Sequence, residues 1–185
     1  MPQDVKTNPD RAKTFSMPEW RTKHGAEHTR PALDAVLHYL TNEKEVTKVY
    51  GIGYCFGARY VMDLIFENKV SKAAFAHPSQ LIVPEDFEKL VELHKADKAG
   101  VPPLLFLTCE KDPQFPLEAQ AKADDILSQL NDGEQEGEGS SGKIPYKRVY
   151  YPGNEHGFAV RGDISQSHVK EAKEDAFKQA LDWFR

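Results

Sequence analysis

The sequence predicts an α/β fold, a parallel sheet with flanking helices, and three observations carry that reading. Short β-branched, aromatic or apolar runs alternate along the chain with segments whose apolar residues recur at helical spacing. One of those runs, Pro103-Leu104-Leu105-Phe106-Leu107-Thr108-Cys109, is apolar without alternation, as expected of a strand covered on both faces. Another, Val46 to Tyr50, runs through Gly51-Ile52-Gly53-Tyr54-Cys55-Phe56-Gly57 into Ala58, Val61, Met62 and Ile65, a strand passing through a glycine-flanked turn straight into a helix. Strands alternating with helices imply right-handed crossovers between parallel strands, and the sequence contains four such strands.

Composition narrows the function. The 185 residues make one domain's worth of chain, with 39% hydrophobic and 29% charged residues, the balance of a globular protein rather than a disordered one. The net charge of −5, with no basic cluster to neutralise phosphates, argues against nucleic acid as the main partner. No apolar run of about 18 residues is available for a membrane span, and the first 15 residues lack a hydrophobic signal core. Two cysteines, Cys55 and Cys109, form no disulfide framework, so a cytoplasmic, reducing location is expected.

The elements follow in order. Residues 1–26 are polar and interrupted by Pro2, Pro9 and Pro18, which predicts a loop or lid-like segment ahead of the main domain, residues 27–185. Thr29 can cap a helix with Pro31 in its first turn, and Leu33, Val36, Leu37 and Leu40 form its apolar stripe. The strand from Val46 to Gly53 and its helix, ending near Glu67, come next. Lys72 to Ala76 is a short strand ending in His77-Pro78-Ser79. A helix from Glu85 to Lys95 carries Phe87, Leu90 and Val91 on one face, and the Pro103–Cys109 strand ends in Glu110-Lys111-Asp112-Pro113. Pro116 opens a helix with Leu117, Ile126, Leu127 and Leu130. Residues 131–142, NDGEQEGEGSSG, are acidic and glycine-rich and predict a flexible loop without chemistry. A strand from Tyr146 to Tyr151 leads to Pro152-Gly153-Asn154-Glu155-His156-Gly157. The last helix, from about Ser167, is expected to bury Val169, Ala172, Ala176, Phe177, Ala180, Leu181 and Phe184.

In a parallel sheet, reactive groups collect beyond the carboxyl ends of the strands. Four strands here lead to Cys55, His77, Asp112 and His156. Gly-x-Cys-x-Gly between strand and helix is the layout of a nucleophile elbow, with cysteine where serine is usual, and side chains at Gly53 or Gly57 are expected to collide with the neighbouring strand or helix. A thiol at a helix N-terminus faces free N–H groups and the positive end of the dipole, which favour the thiolate. The N–H of Phe56 is a candidate oxyanion donor. Nucleophile, acid and histidine, in that order, are what a Cys55–Asp112–His156 triad requires. Each residue alone has a plainer reading, as a packed cysteine, a turn-forming aspartate or a surface histidine.

GYCFGARYV, FLTCEKDPQFP and YPGNEHGFAVR together resemble the three motif regions of the dienelactone hydrolase family, of the α/β-hydrolase type, over the chain from about Trp20 onward. The resemblance implies Cys55 as nucleophile, Asp112 as acid and His156 as base. It further implies hydrolysis of small lactones or carboxylic esters through an acyl-cysteine, with no metal or organic cofactor. Arg161 matches the arginine that holds the substrate carboxylate in that family, or is an exposed loop arginine; His77 lines the substrate site, or is a strand-end histidine packed against the elbow. Full family members carry further strands ahead of this segment, including the second oxyanion donor and an acidic residue that helps control the thiol. With only about four C-terminal strands of that sheet, the chain is expected to be weakly active and to self-associate through an exposed sheet edge. A binding or interaction module that retains the triad is the alternative.

One further motif, His24-Gly25-Ala26-Glu27-His28, fits the H-x-x-E-H spacing of some zinc peptidases. Gly25 and the proline-broken segment before it make a poor helix start, and no third ligand is visible downstream, so no metal site is assigned.

Overall fold

The computed structural model describes residues 8–96, 101–128 and 146–185, which fall into two compact units, residues up to Thr47 and from Lys48 onward. The second unit begins at Lys48, 21 residues beyond the boundary expected at residue 27. The acidic segment 131–142 and Leu130 lie outside the described residues.

The first unit is helical where a loop was expected. Helices α1 (Pro9–Thr14) and α2 (Met17–Thr22) carry in their first turns the prolines that read as breakers, Pro9 at the first position and Pro18 at the second. Asn8 caps α1 by accepting from the N–H groups of Asp10 and Arg11, and Pro9 occupies the first helical position, where its missing N–H costs nothing. Helix α3 (Ala26–His38) begins three residues before Thr29, with Gly25 at its N-cap, so Pro31 sits inside the helix. It continues into a π-turn, Tyr39–Glu43. Of its expected stripe only Leu37 is buried, whereas Val36 is exposed.

The second unit is a four-stranded, all-parallel sheet in the order β1-β2-β3-β4: β1 (Tyr50–Tyr54), β2 (Lys72–Ala76), β3 (Leu104–Lys111) and β4 (Tyr146–Glu155). Helices α4 (Gly57–Phe66), α5 (Glu85–Ala96) and α6 (Leu117–Ser128) lie in the three crossovers between these strands, and α7 (Phe158–Arg161) and α8 (Ser167–Phe184) follow β4. Strand β1 starts later than expected, at Tyr50, and β4 runs four residues further, through Glu155, past a register shift opposite Cys109 and Lys111.

Alternation along the strands sorts the core into two faces. Phe75 and Phe106 stack at 4.5 Å on one face and meet Phe87 of α5 and Phe115. On that face Gly51 and Gly53 leave room for α4, whose Val61 and Ala58 lie over them. On the other face Ala74, Ala76, Leu105, Leu107 and Cys109 pack with Tyr151, Phe158 and α8. Helix α8 presents Ala172, Ala176 and Ala180 to the sheet, so the larger Phe177 and Leu181, one residue on in each case, turn outward and are exposed rather than buried. Among the described residues no helix is long and apolar enough to cross a membrane.

Candidate active site

Strand register brings the site together. Tyr54 pairs with Ala76 and Lys111 with Glu155, so the residues that follow, Cys55 beside His77 and Asp112 beside His156, leave the sheet side by side at its carboxyl end. Cys55 has φ +49°, a left-handed conformation that L-residues seldom adopt. It is held there by its own N–H donating to Ala76 O at 3.1 Å, and by its carbonyl accepting from Ala58 N and Ser79 N, each at 3.1 Å. The strained turn lifts the sulfur off the line of β1. Gly53 has the steric role expected of it: a Cβ there would lie 2.6–2.7 Å from Ala58 Cα, Ala58 N and Gly57 C. Gly57 does not, because a Cβ at that position would meet nothing within 4 Å. The turn is closed on one side of the cysteine only.

Cys55, His156 and Asp112 form one hydrogen-bonded line. His156 Nε2 lies 3.0 Å from Cys55 Sγ, and Nδ1 donates to Asp112 Oδ1 at 2.8 Å. Asp112 is buried, and Oδ1 also accepts from Gln114 N and Phe115 N at 2.8 and 3.2 Å, while the Cys109 thiol reaches Oδ2 at 3.8 Å. His156 N donates to Lys111 O, so the last residue of β3 holds the backbone of the histidine and the next residue, Asp112, holds its ring. Gly157, at φ +95°, lets the chain turn sharply after it.

Electrostatics follow from this line. Burial alone would push the Cys55 thiol up, but the hydrogen bond and charge of His156 outweigh it. With smaller help from the Ser79 hydroxyl at 3.8 Å and the Phe56 N–H, they bring the thiol down to about 7. Burial pulls the His156 imidazolium down, yet its hydrogen bonds to Asp112 and Cys55 and the charges of both raise it to about 9. Both shifts favour the charged forms, so the contacts favour a thiolate facing an imidazolium. Cys109 behaves oppositely: burial and the Asp112 carboxylate push its thiol up to about 12.

The other expected residues are placed as follows. The Phe56 N–H acts on the Cys55 sulfur. His77 has no exposed surface, carries φ +37°, and packs its ring edge-on at 5.1 Å from His156 and 5.6 Å from Phe158; neither ring nitrogen has a hydrogen-bond partner among the described residues. Burial, then the neighbouring charge of His156, lowers it to about 4. Arg161 is exposed, and its guanidinium folds back over the His156–Gly157 turn, with Nε 2.8 Å from where a Gly157 Cβ would stand. Ser79, buried and in contact with both the carbonyl and the sulfur of Cys55, was not singled out in the sequence. The available signal was its position just past the end of the strand that neighbours β1. Of the H-x-x-E-H residues, Glu27 Oε1 lies 3.6 Å from His28 Nε2, whereas His24 turns to Trp20, its Nδ1 2.7 Å from Trp20 O. Among the described residues no group of three or more His, Cys, Asp or Glu is arranged to hold a metal ion.

Fold and site geometry thus define a parallel α/β protein whose sheet ends in a strand–cysteine–helix elbow. The Dienelactone hydrolase family profile matches residues 3–185, and the chain belongs to that family of hydrolases. Two curated fungal relatives are each 28% identical. Hydrolase pyvD of Aspergillus violaceofuscus is matched over 175 residues (95% of this chain), and hydrolase tropI of Talaromyces stipitatus over 179 residues (92% of this chain). The chain spans 62% and 61% of their lengths. A crystal structure from Klebsiella pneumoniae subsp. pneumoniae, named provisionally as a dienelactone hydrolase, superposes with a TM-score of 0.64 at 16% identity. It covers 94% of this chain and 69% of that one, a likeness of fold.

Proposed function

We propose that the chain hydrolyses small carboxylic esters or lactones through an acyl-cysteine, with Cys55, His156 and Asp112 as catalytic triad. The observation that carries this reading is the line Sγ–Nε2 3.0 Å, Nδ1–Oδ1 2.8 Å at the end of a parallel sheet. The Cys55 thiolate attacks the substrate carbonyl carbon, and the resulting oxyanion takes the Phe56 N–H. The tetrahedral adduct collapses to the acyl-cysteine as His156 gives its Nε2 proton to the departing alkoxide. His156 then takes a proton from water, the hydroxide adds to the thioester carbon, and the thiolate leaves with the carboxylic acid released. Asp112 stabilises the imidazolium and holds the neutral ring as the Nδ1–H tautomer, with Nε2 free to take a proton. A thiolate is expelled more readily than an unprotonated amine, so esters and lactones are easier substrates for this nucleophile than amides.

Arg161, folded over the turn that carries His156, offers its charge to a carboxylate on the substrate. His77 is too enclosed for direct contact with substrate; its packing supports a role exercised through the ring of His156. No cofactor enters this chemistry, and a reducing compartment such as the cytoplasm keeps both thiols available. The test is hydrolysis of a small aryl ester and of an unsaturated lactone carrying a carboxylate. Cys55→Ala is expected to abolish both, and Arg161→Met to raise KM for the carboxylate lactone while sparing the neutral ester. Undiminished turnover in Cys55→Ala would refute the proposal.

A second reading, a weakly active or non-catalytic binding module, is favoured by one observation. Strand β1 is an edge of the described sheet, with Tyr50 41% exposed, and such an edge is open to pairing with another chain. Self-association through β1 is part of that reading.

A further inference from the structure

Asp112 is held by a loop, and one buried side chain closes that loop. Gln120, in the first turn of α6, is 1% exposed. Its Nε2 donates to Cys109 O at 2.9 Å and to Phe115 O at 2.8 Å. Those carbonyls stand on either side of Asp112, one at the end of β3 and the other just before α6. A single amide group therefore uses both of its hydrogens to tie together the two stems of the acid-bearing loop.

The amide has only one workable orientation. Its Oε1 accepts from Arg148 Nη1 at 3.2 Å, and the reversed orientation would set an oxygen against two carbonyl oxygens and an NH2 group against a guanidinium. Arg148, on β4, is fixed in turn. Its Nε donates to Asp124 Oδ1 and Oδ2 at 3.0 and 2.7 Å, Nη2 lies 2.6 Å from Oδ2, and Nη1 also reaches Thr108 Oγ1 at 3.3 Å. Tyr146 donates its hydroxyl to the same Asp124. Polar contacts thus run without a break from Asp124 and Tyr146 through Arg148 and Gln120 to the loop, then through Asp112 and His156 to Cys55.

We infer that Gln120, oriented by Arg148, is a positioning residue for Asp112, setting the hydrogen bond that orients His156 and with it the charge state of Cys55. The inference rests on the triad reading. A buried amide whose hydrogen bonds serve only to pack α6 against β3 would also satisfy its partners, so the test must read the thiol and not only the fold. Removing the clamp lets the loop relax, lengthens the Asp112–His156 contact and weakens the ion pair. The thiol then titrates higher, while the sulfur stays where β1 and α4 hold it.

The experiment is the pH dependence of Cys55 alkylation by iodoacetamide, followed by mass spectrometry on wild type, Gln120→Glu, Gln120→Met and Arg148→Met, with melting temperature measured alongside. Gln120→Glu keeps the shape of the side chain and its contact with Arg148 but removes both donors. Both Gln120 variants are expected to shift the midpoint up by about one pH unit, lowering the rate at pH 6 about tenfold while leaving the rate above pH 9.5 unchanged. Arg148→Met, which frees the amide to turn, shifts it the same way by less. If the Gln120 variants fail to fold, Arg148→Met decides. Wild-type midpoints in every folded variant, or rates lowered equally at all pH values, overturn the positioning role. A wild-type Cys55 that titrates as an ordinary thiol overturns the triad reading itself and the inference with it.

Discussion

Replacing Gly53 and Gly57 separately by alanine tests whether the elbow is built as the geometry implies. The two glycines flank Cys55 symmetrically in sequence but not in space. A methyl group at 53 would sit 2.6–2.7 Å from three backbone atoms of Gly57 and Ala58, whereas ordinary carbon contacts lie at about 3.5–4.0 Å. Relief requires the first turn of α4 to move about 1 Å from β1, because neither partner is a flexible side-chain tip. Overpacking of this kind costs about 1–3 kcal/mol, and backbone partners put Gly53→Ala near the upper figure. At about 2–4 °C per kcal/mol for a chain of this size, the melting temperature should fall by about 6–12 °C. The same displacement moves Cys55 and the Phe56 N–H relative to His156, and a shift of about 1 Å at a reacting group costs about a hundredfold in rate. At Gly57 the new methyl meets nothing, and the loss of unfolded-state freedom is expected to stabilise by about 0.4–1 kcal/mol. Circular-dichroism melts with Cys55 labelling at pH 6.5 read both effects. Equal melting temperatures and equal labelling for the two variants would refute the reasoning.

Three further outcomes follow from the same geometry. Asp112→Asn removes the charge that holds His156 up at about 9, so the imidazolium titrates lower and the thiol moves from about 7 back toward its ordinary value. A shift of about two units cuts the thiolate fraction at pH 6 by about a hundredfold, visible as slower Cys55 alkylation, and an unchanged midpoint would count against the line of contacts. In the wild type, labelling at pH 7 should fall almost wholly on Cys55, since Cys109 is buried with its thiol pushed up to about 12; comparable labelling of both contradicts the assignment. Ser79→Ala removes a smaller contribution and should raise the Cys55 midpoint by less than Asp112→Asn does, a ranking that the same titration checks.

Much of this was legible in the sequence, for identifiable reasons. The buried strands announce themselves because both faces are covered, as in the run through Leu105 and Phe106, and Cys55, Asp112 and His156 each follow directly on a strand. Helical boundaries were less legible where proline has two meanings. Pro9 and Pro18 break a chain in one context and sit in the first turn of a helix in another, and the side chains just ahead of them, Asn8 and Ser16, decide which by accepting from first-turn N–H groups. Hydrophobicity alone also misassigned α8, since close approach to the sheet selects the alanine stripe and leaves Phe177 and Leu181 outside. Ser79 and Gln120 carry no motif; their roles come from register and from loop closure, which residue type does not encode.

The central claim is that Cys55 becomes acylated. Rapid quench of the protein with a slowly hydrolysed aryl ester, followed by peptide mass spectrometry, tests it most directly. The triad requires an acyl mass on the peptide containing Cys55, absent in Cys55→Ala and longer-lived in His156→Gln, which retains a nucleophile but loses the base that activates water. Ester turnover with no adduct on Cys55 in any variant would contradict it.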